Sequence, residues 1–282
     1  MHVTGSMPAT KVERPIAVQT RGKAHGPITR LVSPSDLGQL IKPFIFLDLF
    51  DAPADAFGGF GMHPHSGIAT LTVLLQGATR YEDSTGKSGV LPQGGIEWMM
   101  AGGGVWHSGA PLPGQHNRGF QLWLAMPPEL ENAVPLSQYV APAEIEQEGP
   151  AKVLLGQLGG ARSRVSHPAS INYLSVTLAA GEHWHYQPPP GHEVAWMAVH
   201  AGALQSPGNI GSGELAVFAP GNGAIDCHSA HGCGFVLGSA VTHPHELVSG
   251  SYSVHTSHST LAIGEAEIRR IGQELRAAGR PG

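Results

Sequence analysis

The sequence predicts an all-β fold, two barrels in tandem closed by one C-terminal helix, and three observations predict it. Gly at 39 and Pro at 23 make up over a fifth of the 282 residues, while only 13% are charged. That balance suits many short strands joined by tight turns. Apolar runs of strand length recur between Gly, Pro, Asn, Asp and Ser, and after one Pro-rich interruption the whole rhythm repeats. A chain of this length buries a core without help from disulfide or metal.

Taken in order, residues 1–26 are polar and irregular and are expected to form a flexible N-terminal segment. The runs ITRLV, FIFLDLF, ATLTVLLQG, GATRYEDS, SGVLPQG, GIEWMMAGG and GFQLWLAM follow as strands. In TLTVLL the two-residue period sets Leu71, Val73 and Leu75 against Thr70, Thr72 and Leu74, so one face can line an interior. The passage MPPELENAVPLSQYVAPAEIEQEGP at 126–150 breaks the rhythm and is read as the linker. It divides a first barrel, 27–140, from a second unit, 141–282. There KVLLGQLG, INYLSVTLAAG, HEVAWMAVHAGAL, GELAVFAPG and CGFVLGSA resume the strand pattern. The period then changes. In GEAEIRRIGQELRAAGR, Ile268, Ile271 and Leu275 fall at i, i+3 and i+7, with acids early and Arg late, as in a helix that covers a barrel face or the neighbouring domain.

Composition narrows function. Cys227 and Cys233 give no disulfide framework and no apolar leader is read at the N-terminus, so the expected compartment is the cytoplasm. No run is long enough for a membrane helix, and a net charge of -5 without a Lys/Arg cluster argues against direct nucleic-acid binding. Histidine, at 17, outnumbers Lys and Arg combined, at 16. It is the commonest protein ligand for transition metals.

One stretch concentrates that chemistry. In GMHPHSG, residues 61–67, His63 and His65 point to one side of an extended segment, and a Gly-rich return after IEWMM can bring His107 beside them. The twin THPHE, with His243 and His245, has no strand like TLTVLL after it and is read as a loop. In the second half, His183 and His185 of GEHWH, with His228 or His231, form a rival metal site. Cys227, His228, His231 and Cys233 mimic a zinc cluster but read better as a hairpin turn.

The run HPHSGIATLTVLLQGATRYEDSTGKSGVLPQGGIEWMMAGGGVWHSG resembles the pirin family, bicupins of the cupin superfamily. The resemblance continues through GFQLWLAMPPELENAVPLSQY and, more loosely, to the C-terminal helix, covering roughly residues 27–280. It implies two packed cupin barrels of the double-stranded β-helix, or jelly-roll, kind with one metal in the first. The implied activity is that of a quercetin 2,3-dioxygenase or of an iron-dependent transcriptional coregulator. The family holds its metal by both histidines of H-P-H and by the His and Glu of H-S-E. Here those positions are His63, His65, His107 and Gly109, so the carboxylate is missing. Ala69 also stands where the general cupin pattern has a Glu.

Three imidazoles still suffice for a divalent ion with open positions. Fe(II) is the expected metal, with Ni, Cu, Mn, Co and Zn left open. In quercetinase chemistry a base takes the proton of a flavonol hydroxyl before dioxygen attacks the ring. Glu97 is the nearest carboxylate and the candidate base, although the sequence does not fix which face it occupies. The expected partner is a small aromatic substrate. The alternatives are a metal-dependent regulatory protein with a protein partner and a metal-free scaffold; the sequence does not specify an oligomeric state.

Overall fold

The computed structural model describes residues 14–54 and 57–280. The first half contributes β1 (Ile16–Thr20), β2 (Lys23–His25), β3 (Ile28–Val32), β4 (Phe44–Ala52), β5 (Phe60–His65) and β6 (Ile68–Gln76). They are followed by β7 (Thr79–Asp83), β8 (Ser88–Leu91), β9 (Ile96–Met100), β10 (Val105–Pro111), β11 (Asn117–Ala125) and β12 (Leu136–Val140). A seven-stranded sheet, β12-β9-β6-β11-β4-β3-β2, and a four-stranded sheet, β5-β10-β7-β8, make the first barrel. The second is built on a sheet in which Leu215–Phe218, Val194–Ser206, Cys233–Ala240, Ile171–Leu178 and Ala151–Leu155 are successive neighbours.

Two expectations need correction. Within the segment expected to be flexible, β1 and β2 are strands, and β1 pairs antiparallel with Leu215–Phe218. β1 therefore belongs to the second sheet, where alternate residues of IAVQT are half-buried and Ile16 packs on its core. As an edge strand it needs little apolar surface, which is why its composition hid it. Residues 1–13 of that expected segment lie outside the described residues. The proposed linker likewise contains β12, paired with β9 from Leu136↔Met100 to Val140↔Ile96.

The apolar face of β6 is not the barrel interior. Leu71 and Val73 join Phe44, Trp98, Phe120 and Leu122 in one core with Tyr173, Trp196 and Val236 of the second half. The two large sheets thus pack face to face, with Phe44 meeting Trp196 edge-on at 5.3 Å. The opposite face of the first sheet carries Thr72, Gln121 and Asp48 towards a cavity. Inside the second barrel, Tyr186, Trp184, Met197 and Phe235 form a separate apolar core.

The C-terminal helix runs from His258 to Ala277, starting earlier than the sequence pattern because Ser257 caps it, its Oγ accepting the Thr260 N–H at 3.2 Å. Its buried face is Gly264, Ile268, Gly272 and Leu275, and the Ile268 carbonyl accepts a hydrogen bond from Trp106 Nε1 at 2.8 Å. It therefore covers the first barrel. Among the described residues, no helix is long and apolar enough to cross a membrane.

Candidate metal centre

Among the described residues, β5 lies at the edge of its sheet and pairs only with β10. That edge tolerates Pro64, which has no N–H to give a second neighbour. The strand period puts His63 and His65 on one side, and the antiparallel register places His107 directly opposite His63. The three rings consequently meet, with a ligand atom of each lying within 4.8 Å of the others.

Each Nδ1 is already engaged. His63 Nδ1 donates to the Gly61 carbonyl at 2.7 Å, His65 Nδ1 to the Tyr252 carbonyl at 3.0 Å, and His107 Nδ1 faces Glu97 Oε1 at 3.4 Å. A proton held on Nδ1 leaves Nε2 as a lone pair in all three rings. His107 Nε2 is buried without a hydrogen-bond partner. Burial, reinforced by His107, lowers the His63 pKa to about 4 and holds that of His65 well below its usual value. A buried lone pair with no partner on His107, converging with two neutral imidazoles, fits a divalent transition metal.

The carboxylates sort themselves by face. Residue 109 borders the cavity, and an added Cβ there would meet only Thr79 Cγ2, at 3.4 Å. Ala69 is different: it lies in the core between the barrels with Leu71 and Val73. Strand alternation points residue 69 away from the histidines, so a Glu there would not reach them. Glu97, whose face the sequence left open, does border the cavity, and its Oε2 lies 3.0 Å from Thr72 Oγ1.

The segment 249–255 also reaches this site, from the far end of the chain. Its Tyr252 carbonyl orients His65, and Ser253 accepts a hydrogen bond from Ser66 Oγ at 2.8 Å. Ser66 Oγ lies 3.0 Å from His255 Nε2, whose other nitrogen is 3.7 Å from Glu131. Glu131 in turn accepts from the backbone and side chain of Thr256. The sequence carried no sign of this clamp, because a backbone carbonyl has no side-chain signature.

Among the described residues, the other histidines do not converge this way. His243 is buried, with Nε2 3.2 Å from the Met126 carbonyl, and it serves packing. His183 and His185 alternate with the inward Trp184 and Tyr186 and so face out of the second barrel, where His183 stacks on His228 at 4.1 Å. Cys227 is buried beside Ser206 while the next residue, His228, faces the opposite way, and His231 is exposed. The Cys/His group is therefore no cluster.

The three imidazoles form part of the wall of a cavity of about 480 Å³. Phe46 stacks on Trp123 at 4.1 Å in that wall, Trp123 meets His65 edge-on at 4.8 Å, and Phe57 and Phe60 add further rings.

The pirin family profile matches residues 27–124. A pirin-like protein of Caulobacter vibrioides is 36% identical over 189 residues, 63% of this chain and 67% of that protein. Quercetin 2,3-dioxygenase from Acinetobacter baumannii superposes with a TM-score of 0.84 at 21% identity, over 93% of this chain and 98% of that one. A bacterial pirin from Escherichia coli in complex with nickel(II) gives 0.63 at 19% identity, over 82% and 96%. These structures share the cupin fold with this chain. The sequence match to the Caulobacter protein shows that the chain belongs to the pirin family.

Proposed function

We propose that the protein is a metal-dependent dioxygenase acting on a flavonol or related enediol, with one divalent ion held by Nε2 of His63, His65 and His107. The observation that carries this reading is three imidazoles, each tied back through Nδ1, meeting at the wall of an aromatic-lined cavity. The similarity to the Acinetobacter dioxygenase supports the activity, and the nickel in the E. coli pirin supports a divalent transition metal. Fe(II) is the ion we favour. When bound, it supplies Lewis acidity towards the substrate's enolic oxygens and a redox centre for dioxygen chemistry.

The chain's own residues supply the rest. Phe46 and Trp123 offer a flat apolar wall for a planar ring and keep water from it. Among the described residues two carboxylates border the cavity, but Asp48 is committed to Arg30, whereas Glu97 touches a metal-site histidine. We therefore assign Glu97 to receive the substrate's proton. The buried free thiols of Cys227 and Cys233 support the cytoplasm as its compartment.

Gly109 favours a second reading. With no carboxylate among the donors, the ion is held but turns nothing over, and the protein acts as a metal-dependent regulator through a protein partner. Purified without a His tag and reconstituted with Fe(II) or Ni(II), the wild type should hold one ion per chain and bleach quercetin under oxygen. His65→Ala should lose both properties. Full metal loading with no turnover of several flavonols would sink the dioxygenase reading and leave the regulatory one. Failure to load Fe, Ni, Cu or Mn would remove both.

A further inference from the structure

One row across the cavity wall is charged or polar where a barrel interior would ordinarily be apolar. Arg30 on β3, Asp48 on β4, Gln121 on β11, Thr72 on β6 and Glu97 on β9 stand directly opposite one another across five neighbouring strands. All five border the cavity. One end of the row is Glu97, which reaches His107. The other is Arg30, which donates from both Nε and Nη2 to the Asp48 carboxylate.

Arg30 is held on a second side as well. Its Cζ lies 3.9 Å from the centre of the Phe46 ring, and Phe46 stacks on Trp123, which packs against His65. A column of flat groups thus runs from the guanidinium to a metal-site imidazole. Asp48 is only 5% exposed, and its burial pushes its carboxyl up against the pull of Arg30. Burying such a pair costs more hydration than an apolar pair of the same size, so the fold gains little from it. What the pair provides is a fixed donor. With Nε and Nη2 occupied, Arg30 Nη1 has no partner among the described residues.

We propose that Arg30, oriented by Asp48 and Phe46, is a second substrate anchor, donating from Nη1 to a neutral oxygen on the end of a planar aromatic substrate away from the histidines. The proposal rests on the reading that this cavity takes a flavonol or related enediol. Charge decides in favour of a neutral oxygen. The Arg30 guanidinium is already matched by the Asp48 carboxylate it holds, and metal-binding imidazoles are neutral. The enolic proton passes to Glu97 at the histidine end, so that transfer leaves the Arg30 end unchanged. A second anion at the Arg30 end would face the Asp48 carboxylate with no counter-charge of its own. The substrate class is accordingly an enediol-bearing aromatic with a distal hydroxyl or carbonyl, not a distal carboxylate.

The test is equilibrium binding to the metal-loaded protein, followed by quenching of tryptophan fluorescence. Three probes serve: a flavonol bare on its distal ring, the same flavonol with one hydroxyl there, and the same with a carboxylate. The wild type should prefer the hydroxylated probe over the bare one by roughly tenfold, the scale of one hydrogen bond to a charged donor. Arg30→Lys, which keeps the charge but loses the fork, should shrink that ratio. The double variant Arg30→Met with Asp48→Leu, which leaves no unpaired buried charge, should bring it to about one. No preference in the wild type, an unchanged ratio in the double variant, tightest binding of the carboxylate probe, or no binding of any probe would each overturn the proposal. Oxygen uptake measured on the same samples reports separately on the dioxygenase reading. A preserved preference without turnover sinks that reading and keeps the anchor.

Discussion

Glu97 stands behind His107 rather than beside it, and so its charge is felt through the proton on Nδ1. Glu97→Gln keeps the shape and the contact with Thr72 but removes the charge. Metal affinity should fall roughly 10- to 100-fold, read by competition with a chelator. Gly109→Glu probes the other carboxylate position. Its backbone lies outside the left-handed region and the space is open, so the variant should fold normally and bind metal more tightly. An unchanged affinity would show that this acid is not what limits the site. Elsewhere, His167 packs edge-on to Trp98 at 5.2 Å, and burial lowers its pKa to about 4. A histidine whose folded pKa is depressed contributes stability that is full above its unfolded pKa of about 6.5 and is lost as pH falls towards the folded value. The difference in unfolding free energy between wild type and His167→Gln should therefore shrink by on the order of 3 kcal/mol between those two values. Urea titrations across that range would show it, and a difference independent of pH would contradict it.

At the scale of elements, the C-terminal helix and the segment 249–255 act as the backing of β5. Gly264 of the helix sits so close to this clamp that an added Cβ would meet Ser66 Oγ at 2.4 Å and His255 at 2.8 Å. In an exposed helix Gly→Ala gains about 1 kcal/mol of helix propensity. Here Gly264→Ala should instead lower the melting temperature and weaken metal retention, because Ser66 is the residue after His65. A rise in both would mean the clamp is slack. These elements also mark how far the sequence could be read. HPH at a strand start set His63 and His65 side by side because a two-residue period fixes their common side, and the strand runs were plain from their turn residues. Glu97 could not be placed because both faces of β9 are buried, Glu97 at 7% and Trp98 at 1% exposure, so polarity did not mark the inner one. Ala69 misled because sequence spacing matched a ligand position while strand parity turned it into the seam between the barrels. Tyr252 contributes only a main-chain oxygen, which any residue has.

For the whole molecule, the seam matters most. One core is assembled from both large sheets, so neither can lose its packing alone. Unfolding should be a single transition, with metal release and tryptophan fluorescence changing together. Trp196→Ala, far in sequence from the histidines but fully buried in that seam, should cost about 3–5 kcal/mol and lower both signals equally. Two separated transitions would show independent barrels. The ends of the chain make the same point in another way. β1, near the start, completes the second sheet, while the Tyr252 carbonyl, near the end, steadies a histidine of the first barrel. Each half is thus strapped by a piece of the other, like two hands with fingers exchanged. A gene cut between the barrels yields two fragments that each lack a strap, so each half should fold less well alone than joined.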